Sequence, residues 1–140
     1  MRKKNLYLIK DFSVGVPEID AQHGHLISLI GCLSGMCRKR VKIPDLDFAI
    51  MIKQNLYFIN YHIKYEEKLI EETAYPELEN FKNFHNTFFM NLIKQIRAYE
   101  SRNCFIPEKL PRLLYEWLDS HLLMDLDISF HLKNQKTLAS

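Results

Sequence analysis

Four short stretches of this chain carry side chains able to hold a metal ion. They are Asp20-Ala21-Gln22-His23, His62-x-x-x-Glu66, Tyr75-Pro76 followed by His85, and Trp117-x-x-x-His121 followed by Asp125. Helix residues advance by about 100° each, so side chains four apart lie within roughly 40° of one another. On helices, His62 and Glu66 would therefore point the same way, and so would His121 and Asp125. Imidazole nitrogen together with carboxylate oxygen suits iron, manganese or zinc. One such pair alone is commonly a surface pair on a helix. Here the donors recur in four stretches, among apolar neighbours: Ile59 and Ile63 around His62, Phe84 and Phe88 around His85, Leu122 beside His121. Burying that many ionisable groups is costly without a partner such as a metal.

Helices must bring these stretches together, and the sequence supplies four. The first is predicted from about Glu18 to Arg40, with Leu26, Ile27, Leu29, Ile30 and Leu33 at helical spacing. Gly31 and Gly35 lower its intrinsic helicity and leave two readings open, a close helix contact or a local irregularity. Pro44 and Asp45 suit the start of a second helix that runs to about Glu72. Its stripe is Phe48, Ile52, Leu56, Ile59, Ile63 and Ile70. Pro76 marks the start of a third, carrying Phe81, Phe84, Phe88, Phe89, Leu92 and Ile96. After a break over Ser101 to Ile106, Pro107 and Pro111 bracket the start of a fourth that reaches about Lys133. No segment alternates in the manner of a strand. The expected fold is all-α: an antiparallel up-down-up-down four-helix bundle spanning residues 1–140 as one domain, preceded by an irregular N-terminal arm.

Bulk properties narrow the function. A chain of 140 residues, 47% hydrophobic and 26% charged, matches an ordinary soluble globular domain. The formal net charge of +2 gives no electrostatic case for nucleic acid. The basic clusters Arg2-Lys3-Lys4 and Arg38-Lys39-Arg40 read as a solvated terminus and a helix end. No apolar run approaches the roughly 20 residues a membrane span needs. Leu6-Tyr7-Leu8-Ile9 is too short for a signal-peptide core. Cys32, Cys37 and Cys104 form no C-x-x-C pair, so reduced, packed thiols and a cytoplasmic setting are expected.

Taken together, these motifs resemble the hemerythrin family over nearly the entire chain. Phe12-Ser13-Val14-Gly15-Val16-Pro17-Glu18-Ile19-Asp20-Ala21-Gln22-His23 is similar to that family's opening signature with its first histidine ligand. His62-Ile63-Lys64-Tyr65-Glu66-Glu67 resembles the second motif, Tyr75-Pro76 up to His85 the third, and Trp117-Leu118-Asp119-Ser120-His121 the fourth. The resemblance implies a four-helix bundle around a non-haem di-iron centre, with two iron ions and dioxygen as ligand. It implies that His23 and His62 hold one iron, that His85 and His121 hold the other, and that Glu66 bridges them.

Two positions depart from the family's pattern. The third helix of the family carries histidines four residues apart, and the earlier one falls on Phe81, which cannot ligate. Glu77, one turn before it, or a solvent molecule is the expected substitute. The family's bridging aspartate lies five residues after the last histidine, which is Leu126 here. Asp125 and Asp127 flank it, each about 100° from that direction on a regular helix. A local bulge could bring in either. Asp125 is favoured because it shares a face with His121; Asp127 is its rival. His25 and His131 read as surface residues. The resulting metal set is His23, His62, Glu66, His85, His121 and Asp125. The expected partner is dioxygen or another small diatomic ligand, for carriage, storage or sensing. A di-iron enzyme acting on peroxide or nitric oxide, or a degenerate iron-binding or storage module, stands as the alternative.

Overall fold

The computed structural model describes residues 13–38, 45–101 and 108–139. The N-terminal arm up to Phe12, the Arg2-Lys3-Lys4 cluster, Pro44, Cys104 and Pro107 lie outside the described residues. Four helices follow in order: α1 (Pro17–Arg38), α2 (Asp45–Glu72), α3 (Leu78–Ser101) and α4 (Lys109–Ala139). Among the described residues there is no strand. Each helix packs on the next around a ring, α1 on α2, α2 on α3, α3 on α4, and α4 back on α1. Phe48 near the start of α2 meets Tyr99 near the end of α3 with ring centroids 5.1 Å apart. Asn55 in α2 donates to the Leu29 carbonyl of α1 at 3.2 Å. These contacts run opposite ends together and make the expected antiparallel four-helix bundle.

Local chemistry sets the helix ends that the site depends on. Pro17 opens α1, where its missing N–H costs nothing. Asp20 in that first turn folds the preceding loop onto the helix. Its carboxylate accepts from the Val14 backbone N–H and the Ser13 hydroxyl, both at 2.7 Å, and its charge favours the helix N-terminus. Gly15, with φ +83°, supplies the left-handed turn in that loop. At the other end of the bundle's sequence, α2 stops in a Schellman-type cap. Ala74 is left-handed at φ 55°. The Tyr75 N–H bonds the Ile70 carbonyl at 2.9 Å and the Ala74 N–H bonds the Glu71 carbonyl at 3.3 Å. Pro76 and Glu77 form a turn, so α3 begins at Leu78 rather than at the proline.

The α2–α3 connection is tied to α4. The Tyr75 hydroxyl donates to Asp127 at 2.5 Å. His131 Nε2 lies 2.9 Å from the Thr73 carbonyl. α4 itself runs on to Ala139, past the expected end at Lys133.

Buried positions follow the three-four rhythm of a bundle seam. In α2 they include Phe48, Ile52, Asn55, Ile59, His62, Ile63, Glu66 and Ile70; in α3 they are Phe81, His85, Phe88 and Leu92. Candidate metal donors thus occupy the same stripe as the core. Leu56, Ile27 and Leu29 sit at its half-buried margin. Gly31 and Gly35 have neither of the roles their sequence context allowed. The helix is regular there. An added Cβ at Gly31 would meet only the Tyr115 hydroxyl at 3.9 Å, and at Gly35 nothing within 4 Å.

That openness makes a prediction. Gly35→Ala and Gly31→Ala should each stabilise the fold by about 0.5–1 kcal/mol, by restricting the unfolded chain and favouring helix. Urea unfolding checks it. A fall in the midpoint for Gly31→Ala would mean that α1 packs more closely at that position.

Candidate metal centre

One helical stripe from each of α1, α2 and α4 converges at the middle of the bundle. The side chains brought together are His23 from α1, His62 and Glu66 from α2, and His121 and Asp125 from α4. All five are fully buried, and one donor atom from each lies within 4.8 Å of every other. His23 Nε2 is 2.6 Å from Asp125 Oδ2, and His62 Nε2 is 2.8 Å from Glu66 Oε2. His121 Nε2 is 2.9 Å from Asp125 Oδ2 and 3.5 Å from Glu66 Oε2. The His62 and His121 Nε2 atoms are only 2.7 Å apart. Two lone pairs cannot face each other at that distance, so a proton or a cation must lie between them.

Several of these atoms have no hydrogen bond of their own. Both Glu66 oxygens and Asp125 Oδ1 are buried without a hydrogen-bond partner. Glu66 Oε2 nonetheless lies 2.8 Å from His62 Nε2, close enough to pair by charge. Buried carboxylate oxygens left this way are expensive unless a cation takes them. The donor set therefore fits a metal ion of the iron, manganese or zinc type.

The surrounding hydrogen bonds orient the rings. His62 Nδ1 donates to the Gln22 side-chain oxygen at 2.6 Å. That fixes the tautomer with the Nε2 lone pair facing the centre, as ligating histidines require. His121 lies stacked on Trp117, with centroids 4.8 Å apart and 16° between the planes.

His85 stands apart from the five. Its Nδ1 accepts the Trp117 indole N–H at 3.1 Å, and its Nε2 is buried with no partner. Burial, then the neighbouring His121, hold its pKa down at about 2, so it is neutral. Phe81 is fully buried against it, with ring centroids 4.3 Å apart. The two candidates for replacing the missing histidine or the displaced aspartate resolve simply. Glu77 is exposed and accepts from Asn80. Asp127 is exposed and accepts from Tyr75. Leu126, at the family's aspartate register, is half exposed. No bulge interrupts α4, and Asp125 reaches the centre because it lies one turn beyond His121. His25 is exposed against Phe58, and His131 is bound to Thr73. Cys32 is exposed rather than packed and Cys37 is half-buried; neither is in a disulfide.

Gln22 and Trp117 are working residues of the site whose roles the sequence did not reveal. Gln22 lies next to His23 yet serves the histidine of another helix. Only the pairing of helices discloses that.

These features define an all-α bundle protein with a buried histidine–carboxylate metal centre. Among curated proteins, the chain is similar to Bacteriohemerythrin of Stenotrophomonas maltophilia (strain R551-3). The two are 27% identical over 120 residues, covering 82% of this chain and 72% of that one. It is also similar to Bacteriohemerythrin of Pseudomonas paraeruginosa (strain DSM 24068 / PA7), 24% identical over 115 residues with the same shares of each chain. No protein-family model and no solved structure matches the chain. In fold and in sequence, then, the chain is similar to these hemerythrin-named proteins.

Protons compete with a metal for this centre. Burial alone would lower the His121 pKa, but the Asp125 and Glu66 carboxylates raise it from 6.5 to about 10. His62 is raised in the same way against its own burial, by Asp125 and Glu66. Burial opposes ionisation of Asp125, yet His121 holds it well below 3.8. The metal-free pair is then fully stabilising above pH 3.8, where Asp125 is ionised, and below 6.5. The His121 contribution is lost as pH climbs toward 10. A metal must displace those protons, at about 1.4 kcal/mol per pH unit for each one released. At fixed ferrous or zinc concentration, the thermal upshift on metal binding should grow from pH 6 to pH 8. An upshift that shrinks over this range would mean that no proton leaves the histidines. Separately, Gln22→Leu should weaken metal binding by about 10–100-fold, the usual cost of losing an outer hydrogen bond to a ligating histidine. Competition against a chelator reads that directly.

Proposed function

We propose that this protein binds dioxygen, or another small diatomic ligand, at a non-haem iron centre in the bundle core. The observation that carries this reading is the convergence of three imidazoles and two carboxylates on one fully buried point. The similarity to bacteriohemerythrins supports iron as the metal. His23, His62 and His121 would supply neutral nitrogen donors, and Glu66 and Asp125 the charge. Bound iron would supply the redox step needed to hold dioxygen reversibly.

The protein's own residues supply the rest. Gln22 keeps the His62 lone pair aimed inward. Trp117, Phe81, Ile59 and Ile63 are buried around the donors and exclude water. A dry surround favours reversible binding over hydrolysis and proton leakage. Reduced thiols at Cys32 and Cys37, neither in a disulfide, go with a reducing, cytoplasmic setting. No helix among the described residues is long and apolar enough to cross a membrane.

The test is optical. Apo-protein loaded with ferrous iron under nitrogen should develop a new visible band on exposure to oxygen, and the band should vanish on deoxygenation. Iron bound without any reversible band, with oxygen or with nitric oxide, would sink the reading.

A further inference from the structure

We infer that this centre is built for one metal ion rather than two, held by His23, His62, His121, Glu66 and Asp125, with His85 kept out of the ligand set by Trp117 and Phe81. The inference rests on reading the centre as a metal site and concerns how many ions it takes.

Donor spacing is the first ground. Metal–nitrogen and metal–oxygen bonds to histidine and carboxylate run about 2.0–2.2 Å, so two donors on one ion sit at most about 4.4 Å apart and adjacent ones near 3 Å. Seven of the donor pairs at the centre are 2.6 Å to 3.8 Å apart, and all five donor atoms lie within 4.8 Å of one another. Those seven separations are the edges of a single coordination shell. A second ion would need its own donors beyond this group.

Among the described residues, the side where such donors would be needed offers only His85, its ring centroid 4.9 Å from that of His121. Phe81 presents only carbon, with its ring centroid 4.3 Å from that of His85 and 6.3 Å from that of His121. His85 is nearby but wired the wrong way. An indole N–H can only donate, and a neutral imidazole has one donor nitrogen and one acceptor. Because His85 Nδ1 accepts from Trp117, its proton resides on Nε2. Ligation through Nε2 would require that proton to leave and the Trp117 contact to break. His62 has the opposite polarity, with Nδ1 donating to Gln22 and Nε2 turned toward Glu66 and His121. The contrast between the two rings separates a ligand from a bystander.

Charge balance agrees. Glu66 and Asp125 carry two negative charges, which cancel one divalent cation. Two divalent ions in the same buried volume would leave an excess positive charge without compensation from the five side chains. Five donors on one ion also leave a sixth octahedral position for a small ligand.

The stoichiometry decides it. Apo-protein of the unmodified chain is titrated with ferrous iron under nitrogen, then desalted and analysed for metal by mass spectrometry. One ion per chain is expected; an endpoint at two overturns the inference. After oxidation, the electron paramagnetic resonance spectrum should show an isolated high-spin ferric ion. A coupled, silent pair overturns it equally. His85→Gln should keep the one-ion endpoint, and loss of the metal in that variant, with helicity retained, would return His85 to the ligand set. The endpoint on the unmodified chain stands whether or not the variant folds. Two ions per chain with a reversible oxygen band would defeat this inference and leave the oxygen reading intact. One ion without any band would do the reverse.

Discussion

Every other feature of this molecule answers to one constraint: five ionisable side chains point at each other in a place water does not reach. His23, His62, Glu66, His121 and Asp125 have no exposed surface. Isolated, any one of them would be a severe burden in a low-dielectric interior. Together they are tolerable, because imidazolium and carboxylate neutralise one another in the metal-free protein and a cation can replace the protons. The frame must still hold the donors at separations near 3 Å against their tendency to splay toward solvent. Four antiparallel helices do so, with Leu and Ile packed above and below the charged layer. The ties at Asp20, Tyr75–Asp127 and His131–Thr73 fix the ends of the three donor-bearing helices nearest that layer.

Direction of hydrogen bonding then selects among the histidines. Burial is nearly the same for His62 and His85. Their neighbours differ. An amide oxygen at Gln22 draws the proton of His62 outward and frees the inner nitrogen. An indole N–H at Trp117 occupies the outer nitrogen of His85 and sends the proton inward. Two residues of the same type, on the same kind of helical stripe, thereby acquire opposite chemistry. Composition cannot express this difference. Trp117 also stacks on His121, so one side chain braces a donor and withdraws another ring from service.

That distinction marks what the sequence could and could not disclose. The helices were legible because apolar residues recur at bundle spacing, and because Pro76 and Pro111 fall at or near helix starts. The i,i+4 pairs His62–Glu66 and His121–Asp125 were legible for the same reason, since local helix geometry alone aligns them. The choice of Asp125 over Asp127 also followed from that geometry, and α4 needs no bulge to satisfy it. The partners of each ring were not legible. Gln22 reaches across to α2, and Trp117 to α3, and both depend on how helices pair rather than on spacing along one helix. The expectation that Glu77 replaces the missing histidine fails on similar grounds. It lies before the start of α3, in a turn shaped by the cap of α2, and faces solvent.

Phe81 carries the final step of the synthesis. It occupies a buried stripe position of α3, in register with His85 and Phe88. A ligand at such a position and a core residue at it are exchangeable as far as packing is concerned, because the bundle asks only for a side chain of suitable volume facing inward. The metal count is therefore free to change while the fold is held. A histidine there would extend the donor layer toward α3; a phenylalanine closes it and leaves α3 to contribute packing alone. The three donor-bearing helices α1, α2 and α4 still enclose a complete shell. On this view the bundle is the stable quantity, and the number of ions it holds is set by one aromatic residue and by the direction of one indole hydrogen bond.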